Sequence, residues 1–130
     1  AINASGLEYY VQLLLAFDDR IRNQQIDQLL AHLANEPLPY IVAGDFNMSD
    51  FSATYNRLTA VMHDSFLEGG QGMGGSWPVT THNNMPKWLP PLMRIDYIWH
   101  SDGIRTIRAW QGEAVGSDHL PLLAELALDG

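Results

Sequence analysis

Two polar clusters, Gly44-Asp45-Phe46-Asn47 and Gly116-Ser117-Asp118-His119-Leu120-Pro121, carry side chains able to do chemistry on a phosphate or a bound metal. An aspartate can ligate a hard divalent cation or take a proton from water, and an asparagine amide can hold a water or a phosphoryl oxygen without adding charge. Asp45 and Asn47 supply that pair. Asp118 adds a second oxygen ligand, and the His119 imidazole, once protonated, can donate a hydrogen bond to a phosphate oxygen. Between the clusters, Arg94-Ile95-Asp96-Tyr97-Ile98-Trp99 puts Asp96 on a strand-like alternation from which it can orient and charge the histidine, an arrangement that recurs in catalysis. Arg94 reads either as a phosphate-binding cation or as the partner of a surface acid.

These side chains need elements that bring them together. Tyr40-Ile41-Val42-Ala43 is short, apolar and β-branched enough for a buried strand, and Gly44 permits a tight turn that leaves Asp45 and Asn47 at its carboxyl end. Upstream, residues 7–17 read as a first strand and residues 19–35 as a helix with Ile26, Leu29, Leu30 and Leu33 as its buried stripe. Asp18 or Asp19 would cap that helix, and Pro37 lies beyond its stop. Strand, helix and strand then form a crossover unit. Ser49, Asp50 and Ser52 offer caps for a second helix running to about Val61, followed by a brief extended segment at 63–66. Five glycines in the seven positions 69–75 and the polar, proline-bearing stretch 80–91 read as loops rimming the site. Residues 94–100, 104–110 and 122–128 read as strands completing the sheet.

Taken in order, Gly44-Asp45-Phe46-Asn47, Ile95-Asp96-Tyr97-Ile98 and Ser117-Asp118-His119-Leu120-Pro121 resemble the motifs of the endonuclease/exonuclease/phosphatase superfamily. Its members are metal-dependent phosphoesterases related to abasic-site nucleases, deoxyribonuclease I, inositol-polyphosphate phosphatases and sphingomyelinases. Arg22, Gln25 and Leu29 fit the family helix ahead of the first motif, and residues 72–78 fit the loop before Arg94. The resemblance covers nearly the whole chain but only the carboxyl-terminal half of the family domain. That domain is built from two similar halves, each giving a sheet and flanking helices to a four-layer αββα sandwich. The resemblance therefore implies an α/β (α+β) chain, residues 1–130, forming half of such a sandwich, with one mostly antiparallel or mixed sheet and flanking helices.

The same resemblance implies hydrolysis of a phosphoester with Mg²⁺ or Mn²⁺. Asp45 would position and deprotonate the attacking water, and Asn47 would hold that water or a phosphoryl oxygen. Asp118, with Asp45, would ligate the metal. His119, supported by Asp96, would stabilise charge on the phosphoryl oxygens, and Arg94, Asn47 and His119 would bind substrate. The amino-terminal half of the family carries an early asparagine and a metal-binding glutamate, and no segment here matches them. Glu8 and Glu36 are the acidic candidates upstream of Asp45, and neither follows an apolar strand with the expected neighbours. Many relatives also carry Thr-His-Leu where this chain has Leu15-Ala16-Phe17. The isolated chain is thus expected to be inactive or nearly so, with a missing amino-terminal half as its partner. The alternative is a non-catalytic half-domain that forms a homodimer, or binds a partner, through an uncovered sheet face. Residues 90–98 and the glycine-rich stretch ending in Trp77-Pro78 look most like bacterial members, several of which carry membrane helices. This points to a longer, membrane-anchored parent whose substrate is a phospholipid, polyprenyl or sugar phosphate at least as readily as DNA.

Composition narrows the partners further. The chain has 130 residues, 46% of them hydrophobic, which suits one core and is too short for two domains of ordinary size. No apolar run approaches the roughly 18 residues needed to cross a bilayer, and the first six residues lack the basic region of a signal peptide. Absence of cysteine excludes disulfides and thiolate metal sites. A net charge of −8 with seven lysines and arginines disfavours nucleic acid as a partner of this piece, because proteins that hold duplexes neutralise several phosphates. A nuclease is therefore the third reading. His32 and His63 read as surface or packing residues, His82 as a loop histidine, and Trp77, Trp88, Trp99 and Trp110 as core or interface. The glycine-rich stretch lacks a following Gly-Lys-Ser/Thr and is not a nucleotide cradle.

Overall fold

The computed structural model describes residues 4–79, 88 and 90–130, with residues 4–18 described by their backbone alone. The chain divides into two units, Ala1–Glu36 and Pro37–Gly130. The first unit is one helix, α1 (Ala4–Leu33). Residues 7–17 are thus helical rather than the expected strand, no helix begins at Asp18 or Asp19, and the expected crossover unit is not formed. The physical reason is local. Between Gly6 and Pro37 no glycine or proline breaks the backbone, Leu is the commonest residue of 7–17 and Val11 its one β-branched residue, and a helix satisfies its own amides where a strand needs a paired neighbour.

The second unit holds the site. Its elements in order are β1 (Ile41–Asp45), α2 (Ala53–Thr59), β2 (His63–Asp64), α3 (Ser65–Gly69), β3 (Asp96–His100), β4 (Ile104–Gln111) and β5 (Leu122–Leu128). Both sheets are antiparallel and carry flanking helices. The strands expected to complete one sheet form two hydrogen-bonded sheets, one in the order β1-β3-β2 and one pairing β4 with β5. In the first, Asp45 of β1 lies opposite Asp96 of β3. The second is interrupted by a register shift between Thr106 and Arg108. Gly44 lies within β1, and the turn comes at Asn47, whose φ is 48°. Asparagine tolerates that left-handed conformation better than most residues.

Short helices begin where side chains satisfy their free amides. Of the three caps expected for α2 the structure uses Ser52, whose hydroxyl accepts from the Tyr55 amide. Asp64 caps α3, accepting from the amides of Phe66 and Leu67 at 3.1 and 3.4 Å. The extended segment expected at 63–66 is therefore only His63–Asp64, and helix follows at once.

The core is aromatic. Tyr97 and Trp99, alternate residues on one face of β3, are fully buried with Leu58 and Met62. Tyr55 packs against Trp99 at 5.4 Å between ring centroids, and Phe46 meets Tyr97 edge-on at 5.8 Å. The Tyr97 hydroxyl reaches the carbonyl oxygens of Met48 and Arg94, 2.9 and 2.8 Å away, so the segment after β1 is tied to the segment before β3. Trp99 is thus core as expected, whereas Trp88 is 79% exposed. His100 is buried against Glu68 and stacks on half-exposed His63. His82 and residues 80–87 of the expected rim loop lie outside the described residues. Among the described residues, no helix is long and apolar enough to cross a membrane.

Candidate active site

The opposite face of β1 and β3 from that core carries the chemistry. Side chains alternate along a strand, so once Tyr97 and Trp99 point inward, Asp96 and Ile98 point the other way, beside Asp45 and Ala43 of the paired strand. A cleft of 340 Å³ opens there, lined by Asp45, Asp96, Ser117 and His119 at its polar end and by Ala43, Ile98, Leu120 and Leu122 among its apolar walls.

His119 is the centre of this arrangement. Its Nδ1 lies 2.7 Å from Asp96 Oδ2. A carboxylate can only accept, so Nδ1 carries the proton and donates it, leaving Nε2 to face the cleft. Nε2 lies 3.8 Å from Asp45 Oδ2 and 3.9 Å from Asp118 Oδ1. Partial burial disfavours the imidazolium, but the hydrogen bond to Asp96 and the negative fields of Asp96, Asp45 and Asp118 outweigh it. The His119 pKa is therefore raised. The histidine is poised to hold a proton on Nε2.

The two remaining carboxylates are each held by one oxygen. The Asn47 amide donates to Asp45 Oδ1 at 2.7 Å, an Asx-type turn that leaves Oδ2 turned toward His119. The Trp77 indole donates to Asp118 Oδ2 at 3.3 Å, and the Asp118 backbone carbonyl accepts from Val79 at 2.7 Å. Asp45, Asp96 and His119 each offer a ligand atom, all within 4.8 Å of one another. Asp96 spends one oxygen on His119, as Asp45 and Asp118 each spend one on the N–H groups of Asn47 and Trp77, so each of the three carboxylates keeps a second oxygen that could serve a cation. Carboxylate oxygens are donors that suit Mg²⁺ or Mn²⁺.

Four of the expected residues, Asp45, Asp96, Asp118 and His119, thus meet around one imidazole, and exposed Asn47 adjoins them through its backbone. Arg94 is not brought there. Its side chain is 5% exposed and ion-paired with Asp64 Oδ1, with the guanidinium over the rings of Phe66 and Tyr97 at 5.1 and 4.8 Å. The acid that pairs it is buried rather than on the surface, and that acid also accepts from the Tyr55 hydroxyl at 2.7 Å. Burial raises the Tyr55 pKa to about 12, with the Asp64 carboxylate adding to the effect. Sequence reasoning missed Ser76 and Trp77, which contact the site. The available signal was their place in the stretch leading to Arg94, where Trp77 reads simply as packing.

Comparisons with known proteins extend the geometry. The chain matches the model of the endonuclease/exonuclease/phosphatase family over residues 8–119. No curated protein matches it. Among solved structures, it is similar to an endonuclease/exonuclease/phosphatase from Bacteroides vulgatus, at 25% identity and a TM-score of 0.66, over 82% of this chain and 44% of that one. A mannosyl-6-phosphatase from Bacteroides thetaiotaomicron shares the fold at 21% identity and a TM-score of 0.58, over 80% of this chain and 43% of that one. So does the catalytic domain of human Nocturnin with bound sulfate, at 20% identity and a TM-score of 0.54, over 82% and 39%. The chain spans less than half the length of each.

Proposed function

This chain belongs to the endonuclease/exonuclease/phosphatase family, whose members are hydrolases, and on that premise we propose that it is the carboxyl-terminal half of a metal-dependent phosphoesterase domain. The observation that carries the reading is His119 bridging Asp96 and Asp45, which lie opposite each other on paired strands. The share of each solved relative that the chain covers supports the half-domain. Asp45 and Asp118 would hold Mg²⁺ or Mn²⁺. When bound, such an ion polarises a phosphoryl oxygen and makes water a better nucleophile.

The protein's own groups do the rest. Asp45, fixed through Oδ1 by the Asn47 amide, presents Oδ2 to take the proton of an attacking water. Asn47, left-handed at the end of that turn, would hold that water or a phosphoryl oxygen through its side-chain amide. His119 donates from Nε2 to a phosphoryl oxygen as negative charge builds, while Asp96 holds the ring and favours its charged form. Arg94, paired with Asp64, contributes to the scaffold rather than to substrate.

Hydrolysis of bis-p-nitrophenyl phosphate with and without Mg²⁺ or Mn²⁺ tests this, run on this chain and on a longer polypeptide carrying it. Turnover is expected in the longer form, abolished by chelation and reduced at least about 100-fold by Asp45→Asn or His119→Ala. Undiminished turnover in either variant rejects the assignments. The mannosyl-6-phosphatase likeness shows the fold alone, and the class of phosphoester rests on electrostatics. Arg94, Arg105 and Arg108 are paired with Asp64, Asp129 and Glu125, which disfavours a polyanionic nucleic acid.

A second reading rests on a separate observation. Pro39, Ile41, Ile104, Leu126, Ala127 and Leu128 line an apolar cleft of 290 Å³, and Ile41 and Leu128 are exposed. We infer that the isolated chain associates through this face, with itself or with the other half of its domain. A stable monomer at micromolar concentration in sedimentation would contradict self-association.

A further inference from the structure

The two carboxylates flanking His119 arrive on different segments, Asp96 at the start of β3 and Asp118 in the loop before β5, yet one short strip contacts both. Ser76 is almost wholly buried. Its Oγ accepts from the amides of Ile95 and Asp96, each at 3.3 Å. Its carbonyl oxygen accepts from the Leu120 amide at 2.8 Å, and its own amide donates to Met93 at 2.9 Å. A single residue therefore grips the backbone of Asp96 on one side and the residue following His119 on the other. Trp77 continues the strip, exchanging backbone hydrogen bonds with Met93 at 3.0 and 2.9 Å and donating its indole N–H to Asp118.

The strip can lie this close because of the residue before it. A Cβ on Gly75 would fall 1.9 Å from the Pro91 carbonyl oxygen, a separation no side chain can occupy without backbone movement. The Gln111 side chain also donates to the Gly75 carbonyl at 2.8 Å, tying the strip to β4.

We propose that Ser76 is a positioning residue for the Asp96–His119 pair, acting through the two amides its hydroxyl receives and the Leu120 amide its carbonyl receives. This rests on the phosphoesterase reading for its catalytic consequence, and on geometry alone for the alignment. The hydroxyl is the part a substitution can remove. Without it, the amides of Ile95 and Asp96 lose their acceptor, and buried backbone donors left unpaired pull toward new partners. The start of β3 then shifts relative to the loop that carries His119. A difference of a few tenths of an ångström is enough to lengthen a 2.7 Å hydrogen bond measurably.

The test has two arms. In the first, histidine side-chain ¹⁵N and ¹H resonances of this chain are recorded without metal in Ser76→Ala, Ser76→Thr and Ser76→Cys. The proton on His119 Nδ1, bonded to Asp96, is expected to resonate far downfield in the wild type, to move upfield or broaden in Ser76→Ala, and to return in Ser76→Thr. Ser76→Cys keeps the volume with a weak acceptor and gives the reading if Ser76→Ala does not fold. In the second, the same variants in a longer active polypeptide are assayed on bis-p-nitrophenyl phosphate. Ser76→Ala is expected to lower kcat at least tenfold with KM within twofold, and Ser76→Thr to restore it. A His119 resonance unchanged in both Ser76→Ala and Ser76→Cys overturns the proposal. A wild type that hydrolyses nothing removes the phosphoesterase reading, while the resonance arm still decides whether Ser76 aligns the histidine.

Discussion

Replacing Arg94 by Met separates a structural cation from a substrate-binding one. The variant keeps an apolar side chain of similar length but removes the guanidinium that lies over Phe66 and Tyr97 and pairs with Asp64, itself 2% exposed. Breaking a buried ion pair by deleting one partner typically costs about 3–5 kcal/mol, because the other charge stays buried without its counterion. Asp64 would still accept from the Tyr55 hydroxyl and from the amides of Phe66 and Leu67, which places the loss toward the lower end of that range. Loss of the guanidinium above two aromatic rings adds about 0.5–1 kcal/mol. The sum is about 4 kcal/mol, and with a urea dependence of about 2 kcal/mol/M the midpoint falls by roughly 2 M. Urea unfolding followed through tryptophan fluorescence measures this, with buried Trp99 as the reporter. Well below the transition, KM for a phosphodiester in a longer active polypeptide should stay within twofold of wild type. A midpoint shift under about 0.5 M together with a large rise in KM would refute the reasoning and return Arg94 to substrate binding.

Two further outcomes follow from the titrating groups. Burial raises the Glu68 pKa, but hydrogen bonds from His100 and Thr106 and the field of His63 outweigh it, so the folded-state pKa lies below 4.5. A depressed carboxylate contributes stability above its unfolded pKa and loses it as pH falls through the folded value. The Tm difference between wild type and Glu68→Gln should shrink as pH falls below the ordinary carboxylate pKa. A difference that grows on acidification would contradict the assignment. Tyr55 and Tyr97 have raised pKa values, Tyr55 to about 12 with burial as the main cause and Asp64 adding to it. A phenol ionising late stabilises the fold below its ordinary value of 10 and loses that contribution as pH rises toward the folded value. Ultraviolet titration should show tyrosines ionising last as the fold opens, and Tyr55→Phe should remove one of them and lower stability by about 1–2 kcal/mol.

The chemistry was legible because it is local. Asp45, Asp96 and His119 sit at strand ends or just beyond, where short apolar runs announce them, and the residue types suffice to suggest their partners. Alternation along Asp96-Tyr97-Ile98-Trp99 also predicts which side chains face the core. Residues 7–17 misled because an apolar run of that length fits either a strand or a helix, and the decision rests on whether a neighbouring strand is present to pair with it. Arg94 was ambiguous because its partner Asp64 is 30 positions away and contributes no local pattern. Ser76 was invisible for another reason: its effect runs through backbone amides, which every sequence supplies equally.

The charge around His119 says why such a site calls for a cation. Asp45, Asp96 and Asp118 surround one histidine, so even with His119 protonated, three carboxylates against one imidazolium leave two negative charges beside the cleft. An approaching phosphodiester brings another. At separations of about 4 Å each like-charge pair opposes approach by about 1 kcal/mol in water and about 4 kcal/mol near a partly desolvated surface. No arginine or lysine lines the cleft among the described residues. A divalent ion held by Asp45 and Asp118 would cancel the excess and turn an anion-repelling site into an anion-binding one. The same arithmetic separates two variants, Asp118→Asn and His119→Ala. Asp118→Asn removes one charge without a proton acceptor, so it should weaken metal binding while leaving metal-free phosphate affinity equal or higher. His119→Ala removes the only cationic group lining the cleft among the described residues, so it should lower phosphate affinity with or without metal. Calorimetric titration of inorganic phosphate into each variant, with and without Mn²⁺, reads both effects, and a drop in metal-free phosphate affinity for Asp118→Asn would defeat the argument.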